Sequence, residues 1–351
     1  MTILEHYLSK FERLIDPPRE ERIAECYQRI FRWEEVEHLP FCWSDLPPVA
    51  DQDWPDYPYN DTFVDREKML LAQLRQAFLH YSTGDDYPLA IRANYGTVIL
   101  PSIFGARWQL TENSLPWAHH VEGRDAVRRL IDAGIPTPRS GLGAACLDTA
   151  IYYREALMHY PGLSGTVRIY HPDLQGPFDV AHLLWGPDIF LAFYDCPELV
   201  HELLGLVTHT YTAWLKQWKE TVGEENAWTV HWNVWQRGGA MLRDDTAVLL
   251  SADQYRDFIQ PYDQQVLDVF GGCIHFCGRG DHFVPEMVKS HHLYGLNITQ
   301  PELNDMTRIW DLCQARRIVL LDLDEHYLPP MVRTGVSIRR SWRERQDNAS
   351  R

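Results

Sequence analysis

SADQYRDFIQPYDQQVLDVFGGCIHFCG, residues 251–278, carries the pattern that decides the fold. It opens on Ser251, a residue type that caps helix starts by accepting a backbone N–H. A helix-forming stretch runs to Phe270 and two glycines break it. The apolar run that follows, Cys273 to Cys277, has the length and bounds of a buried strand. One helix handed on to one strand is half of a repeating βα unit.

The same alternation recurs outward in both directions. Strand-like runs stand at 39–46, 89–96, 166–175, 228–235, 271–278, 293–299, 317–324 and 334–340. Strong helical stretches lie between several of them. CPELVHELLGLVTHTYTAWLKQWKE (196–220), with Asp195 placed to cap it, is the longest. Strands that alternate with helices pair in parallel with the helices outside. About eight of them predict a closed TIM (β/α)8 barrel, of the α/β class, over residues 36–340. Residues 3–33 read as two amphipathic helices broken at DPPRE (16–20), giving an N-terminal helical extension over 1–35. The polar tail SWRERQDNASR (341–351) is expected to fray.

Composition narrows the function. The chain has 351 residues, with 33 Lys and Arg against 49 Asp and Glu, a net charge of −16. That field repels nucleic acid and anionic membranes. No apolar run reaches the roughly 18 residues of a membrane helix, and the N-terminus has no apolar signal core. A soluble, cytoplasmic protein is expected. The seven cysteines, an odd number at irregular spacing, point to reduced thiols rather than a disulfide framework. The 13 Trp and 17 Tyr suit a large pocket and a packed core equally well.

Barrel chemistry gathers where strands end. There the sequence places His171, Asp173 and Gln175; His231, Asn233 and Trp235; His275 and Cys277; Asn297 and Thr299; and Asp322 and Asp324. Spacing by two sets each group on one face of its strand. Polar groups also collect at a barrel mouth simply because it meets water. Imidazole and thiolate are both zinc ligands, so His275 and Cys277 form a candidate pair; a buried strand that happens to end in two soft side chains is the plainer reading. Cys273, four residues back along a strand, is about 13 Å from Cys277 and too far to join. Glu302, Asp322, Asp324 and His326 are the candidates for a third ligand.

Three segments together resemble the uroporphyrinogen decarboxylase superfamily. They are HPDLQGPFDVAHLLWGPDIFLAFYDCPELVHELL (171–204), RDDTAVLLSADQYRDFIQPYDQQVLD (243–268) and IHFCG (274–278). The likeness spans roughly residues 60–340 and implies a TIM barrel. The true decarboxylases carry an arginine-rich N-terminal segment that grips carboxylates by bidentate pairing. The corresponding stretch here, 38–63, has no arginine and several aspartates, leaving Arg92 as a basic residue facing the mouth.

His275 and Cys277 match the H-x-C of the branch of zinc methyltransferases that move methyl groups between corrinoids and thiols. That branch takes its third ligand from a P-G-C segment, which this chain lacks. The resemblance thus implies a zinc-dependent methyltransferase with a small-molecule substrate. The methyl donor would be a corrinoid, carried by a partner corrinoid protein, or another group; the acceptor would be a thiol. Asp244 and Asp245 would orient polar groups or a histidine, or serve as a turn after GGAML (239–242 with its preceding glycine). His171 would be a general acid or base, or a satisfied barrel histidine. Arg92, Asn94, Asp173, Gln175, His231, Asn233, Trp235, Asn297 and Gln300 would contact substrate. Two other classes stay open: a decarboxylase of a tetrapyrrole or smaller acid, and a non-catalytic binder of a corrinoid or similar ring against Tyr170, Trp232 and Trp235.

Overall fold

The computed structural model describes residues 1–48, 53–112 and 114–349. Its strands, in chain order, are β1 (Phe41–Asp45), β2 (Ala90–Ile91), β3 (Trp108–Gln109), β4 (Trp117–Ala118), β5 (Arg168–Ile169), β6 (Trp228–His231), β7 (Val234–Arg237), β8 (Ala240–Arg243), β9 (Gly272–Phe276), β10 (Leu293–Ile298), β11 (Val319–Asp324) and β12 (Val336–Ser341). Six form one parallel sheet in the order β1-β12-β11-β10-β9-β8. β2 and β5 form a separate parallel pair. Among the described residues, sheet pairing does not close the ring. At each seam a backbone hydrogen bond bridges the gap: Asp86 N–H to the Phe41 carbonyl, and Gly176 N–H to the Arg243 carbonyl, both 2.8 Å.

The central strands read as continuous apolar runs because helices cover them. β8 and β9 are buried at every residue, as parallel strands with both faces covered must be. The helix Pro197–Val222 stands where expected, but Cys196 and not Asp195 is its N-cap and no side chain bonds the cap, whereas Ser251 caps Ala252–Phe258 by a full capping box.

One expected strand is different. Residues 228–235 do not make a single parallel strand; β6 and β7 fold back on each other as an antiparallel hairpin. Trp232 sits in its turn with φ 49°. The strand that enters the main sheet here is β8, just downstream. Gly238 allows the crossing, since a Cβ there would stand 2.3 Å from the Gly272 nitrogen. His231, Asn233 and Trp235 therefore do not share a strand face.

The two N-terminal helices, Ile3–Glu12 and Pro17–Phe31, bury Leu8, Phe11, Tyr27 and Ile30 in the same core as the sheet and its helices. The Glu12 carboxylate accepts from the Gly162 and Leu163 N–H groups at 2.7 and 2.8 Å. The tail is a helix, Trp342–Ala349, anchored where Trp342 N–H donates to Asp45 at 2.9 Å. Residues 350 and 351 lie outside the described residues. Among the described residues, no helix is long and apolar enough to cross a membrane.

Register positions the site. Arg243 on β8 pairs with His275 on β9, His275 with Asn297 on β10, and Asn297 with Leu321 on β11. Four adjacent strands thus present these residues in one row near their C-terminal ends.

Candidate metal centre

β8 and β9 end side by side. The Asp244 N–H still bonds the His275 carbonyl at 2.8 Å, extending their ladder by one step. Asp245 is the first residue beyond it, opening a short 3₁₀ turn to Leu249. Its carboxylate swings back over β9. Asp245 Oδ1 lies 3.3 Å from His275 Nε2 and accepts the Cys277 backbone N–H at 3.0 Å. His275 Nε2 also lies 3.2 Å from Cys277 Sγ. Oxygen, nitrogen and sulfur all fall within 4.8 Å of one another, and they form the one such group among the described residues.

The tautomer of His275 follows from its other side. Nδ1 is 2.6 Å from Asn297 Oδ1, while the Asn297 amide NH2 donates to the Leu321 carbonyl at 2.8 Å. The amide is therefore turned so that its oxygen must accept, and Nδ1 must carry the proton. That leaves Nε2 facing Asp245 and Cys277, where it holds a second proton or, in exchange for that proton, ligates a metal.

The electrostatics ask for a cation. Burial pushes the His275 ring toward neutrality, yet Asp245 and Cys277 outweigh it and lift its pKa to about 9. Burial likewise raises the Asp245 carboxyl, and His275, Arg243 and the Cys277 contact bring it below its usual value. The Asp245 carboxylate and the Cys277 sulfur beside one imidazole favour a positive charge there, which a proton or a metal ion can provide. The donor set of one thiolate, one imidazole and one carboxylate suits zinc, and three protein ligands are the number that leaves a position for chemistry.

The third member of this group is not where spacing along the later strands pointed. Glu302 is exposed on the turn Pro301–Leu303. Asp324 turns its Oδ1 to the His326 backbone N–H at 3.0 Å and to His326 Nδ1 at 2.8 Å. His326 is a surface side chain facing Glu344 at 3.7 Å. These three, and Asp322, which faces Arg339, lie outside the cluster. Asp245, expected as an orienting residue, stands in their place.

Asp244, its neighbour, points the other way. Tyr255 OH donates to it at 3.3 Å, and burial together with the nearby Asp263 lifts its carboxyl well above the ordinary range. His171 has both ring nitrogens occupied: Nδ1 faces the Pro172 carbonyl at 2.9 Å and Nε2 accepts the Met241 N–H at 3.1 Å. Burial drives its pKa down to about 3. These contacts make it a brace between β5 and β8, with no free nitrogen for proton transfer.

Beside the cluster lies a charged lattice of buried side chains. Asp173 accepts from both Arg92 and Arg243; burial raises its carboxyl, but the two guanidiniums bring it below its usual value. His231 Nε2 lies 3.4 Å from Arg243, and desolvation keeps the ring neutral. Trp232 joins lattice and cluster. Arg243 lies 4.0 Å over its ring, and its edge meets the His275 ring at 4.9 Å. A cavity of about 480 Å³ opens next to it, lined by His80, Arg92, Tyr170, Trp232, Asn233 and Arg339 among others. Arg339 reaches Asp322 at 3.5 Å, and Asp322 holds a left-handed backbone at φ 54°.

Of the other expected contacts, Asn94 is held through its backbone, whose N–H meets Met69 Sδ and whose carbonyl accepts from Tyr59. Gln175 is buried with φ 65° beside this lattice. Gln300 starts the turn that carries Glu302, its carbonyl accepting from Asn304 at 2.8 Å. Trp235 is turned down the hairpin and lines a different cavity with Arg168 and Trp228. Arg243, Arg339 and His80 were missed: Arg243 sits on the unread strand β8, and His80 on the helix Arg66–Thr83 gives no motif.

No family model matches the chain, and neither does any curated protein. Among solved structures, a methyltransferase from Methanosarcina mazei superposes with a TM-score of 0.64, over 85% of this chain and 82% of that one, at 16% identity. At that identity the match shows a shared fold.

Proposed function

We propose that this chain is a metal-dependent methyltransferase on a (β/α)8 barrel, with zinc held by Asp245, His275 and Cys277. The observation that carries the reading is the convergence of those three donors at the ends of β8 and β9, with the His275 tautomer set by Asn297. The fold shared with a solved methyltransferase supports it. A bound ion would supply Lewis acidity, lowering the pKa of a substrate thiol so that it reacts as thiolate near neutral pH.

The chain's own residues supply the rest. Asn297 orients the ligand histidine. The Cys277 N–H holds the Asp245 carboxylate on the same side. Trp232 lies edge-on against the His275 ring and keeps bulk water from that flank. Arg92 and Arg339 turn cationic groups into the adjoining cavity, where they take the anionic part of a small-molecule substrate. The methyl donor is a corrinoid brought by a partner protein, and the acceptor is a thiol.

The arginines also favour a second reading, decarboxylation of a carboxylic acid. Arg92, Arg243 and Arg339 face Asp173 and Asp322, three cations to two anions.

Elemental analysis of untagged protein separates the two readings. The first requires about one zinc per chain, lost in Cys277→Ser and in Asp245→Asn. It further requires that the zinc-loaded protein demethylate a methylcorrinoid in the presence of a thiol, read by the corrinoid spectrum. Protein that binds no metal, or that keeps it in both variants, overturns the assignment.

A further inference from the structure

The opposite face, where the parallel strands begin, carries a cavity of about 460 Å³. It lies between the entries to β10 and β11 and the lower end of the β6–β7 hairpin. Arg32, Arg237, Lys289, Arg316 and Arg317 line it, and among the described residues no Asp or Glu does. In a chain of net charge −16 this local excess is anomalous. Lys289 pairs with Glu286 at 2.7 Å and Arg32 with Glu34 at 2.9 Å. Arg237, Arg316 and Arg317 have no carboxylate partner among the described residues. Arg237 instead lies 4.2 Å over the Tyr294 ring, and Arg317 donates to the Arg32 carbonyl at 2.6 Å.

Arg317 lines the cavity as the left-handed cap that ends the helix Met306–Arg316, and His292 as the residue that turns the chain into β10. These basic residues are exposed to solvent, and like charges gathered on the wall of one cavity raise its potential and draw an anion in. Their planar forks match phosphate oxygens two at a time. The volume is that of a small-molecule site rather than a flat protein contact.

We propose that this cavity binds a small molecule bearing phosphate groups, at the end of the sheet away from the metal cluster. Isothermal titration calorimetry with inorganic pyrophosphate in about 0.1 M salt, where surface pairs are largely screened, is the test. The expected result is saturable binding of one pyrophosphate per chain. Arg316→Gln and Arg237→Gln should each weaken it about tenfold or more, the loss of one charge-assisted contact. Arg128→Gln, on an exposed helix elsewhere, should leave it unchanged, and melting curves should show all variants folded. Cys277→Ser should also leave it unchanged. Absence of saturable binding, an equal loss in Arg128→Gln, or a loss in Cys277→Ser each overturns the proposal; the last would place the anion on the metal cluster instead.

Discussion

Replacing Asn297 by Leu keeps the branched heavy-atom skeleton, makes it bulkier, and removes two hydrogen bonds. The 2.6 Å contact to His275 Nδ1 and the 2.8 Å contact to the Leu321 carbonyl both go. Asn297 is 6% exposed, so water does not replace them. Each of the two buried groups left unpaired costs about 1–3 kcal/mol, so the loss of stability should be about 2–6 kcal/mol. Part of that falls on ligand geometry. Without its acceptor, the ring can carry its proton on Nε2 and donate it to Asp245, the wrong tautomer for a ligand. Loss of such an outer contact weakens metal binding about 10- to 100-fold. Asn297→Asp is the matching control, because it keeps an acceptor for Nδ1–H and loses only the donor to Leu321. It should destabilise the fold and hold zinc nearly as well as wild type. Competition against a chromophoric zinc chelator, on protein shown to be folded, reads the affinities. If Asn297→Leu binds zinc within twofold of wild type, the tether does not set the ligand and the tautomer argument is wrong.

Three further outcomes follow from the buried charges and the strand packing. Asp173→Asn strips the shared anion from Arg92 and Arg243, whose side chains are 17% and 8% exposed; it should cost about 3–5 kcal/mol in urea unfolding at pH 7. Since the arginines lower this carboxyl against the effect of burial, the deficit should be full above the ordinary carboxylate range and shrink as the solution is acidified through the lowered value. Asp322 behaves oppositely. Burial lifts it from 3.8 to about 6 against the pull of Arg339, so the native state holds its proton more tightly than the unfolded chain. Its ionisation is a cost that is absent below about pH 4 and complete above about pH 6. Asp322→Asn should therefore stabilise the protein by up to about 3 kcal/mol at pH 8 and by almost nothing at pH 4; the same gain at both values would contradict this. Gly272→Ala puts a Cβ 2.1 Å from the Ala240 carbonyl oxygen, which as backbone cannot step aside. β8 and β9 must part, so melting temperature and zinc affinity should fall together, and a variant that loses only one of them would show that the strand contact does not set the site.

Much of the architecture was legible because parallel strands buried on both faces leave unbroken apolar runs. β9, β10 and β11 show it in RIVLLDLD and its counterparts. The hairpin was not. Its turn is Trp232-Asn233, and tryptophan gives no turn signal, so β6 and β7 read as one strand. Taking that run as the sheet strand left AMLR (240–243) without a role, although β8 is the true partner of β9. The error carried into the site. Once β8 is in place, Asp245 stands at a strand end next to His275. Without it the same residue looked like part of a turn, and the third donor was sought on β11 two strands away. His275 and Cys277 themselves were readable because a spacing of two on a strand needs no knowledge of its neighbours. Asp245 required knowledge of which strand lies alongside, which local pattern does not encode.

The Leu321–Asn297–His275 chain ends on a main-chain carbonyl, not on a side chain. The direction of the imidazole is therefore measured against the sheet itself, like a gauge zeroed on its own frame. Exchanging side chains along β11 leaves that zero unmoved. Sliding β11 by a single residue replaces the carbonyl that faces Asn297 with an N–H or a gap. The centre should accordingly lose its alignment in one step, when β10 and β11 separate, and not by gradual loosening as the protein warms.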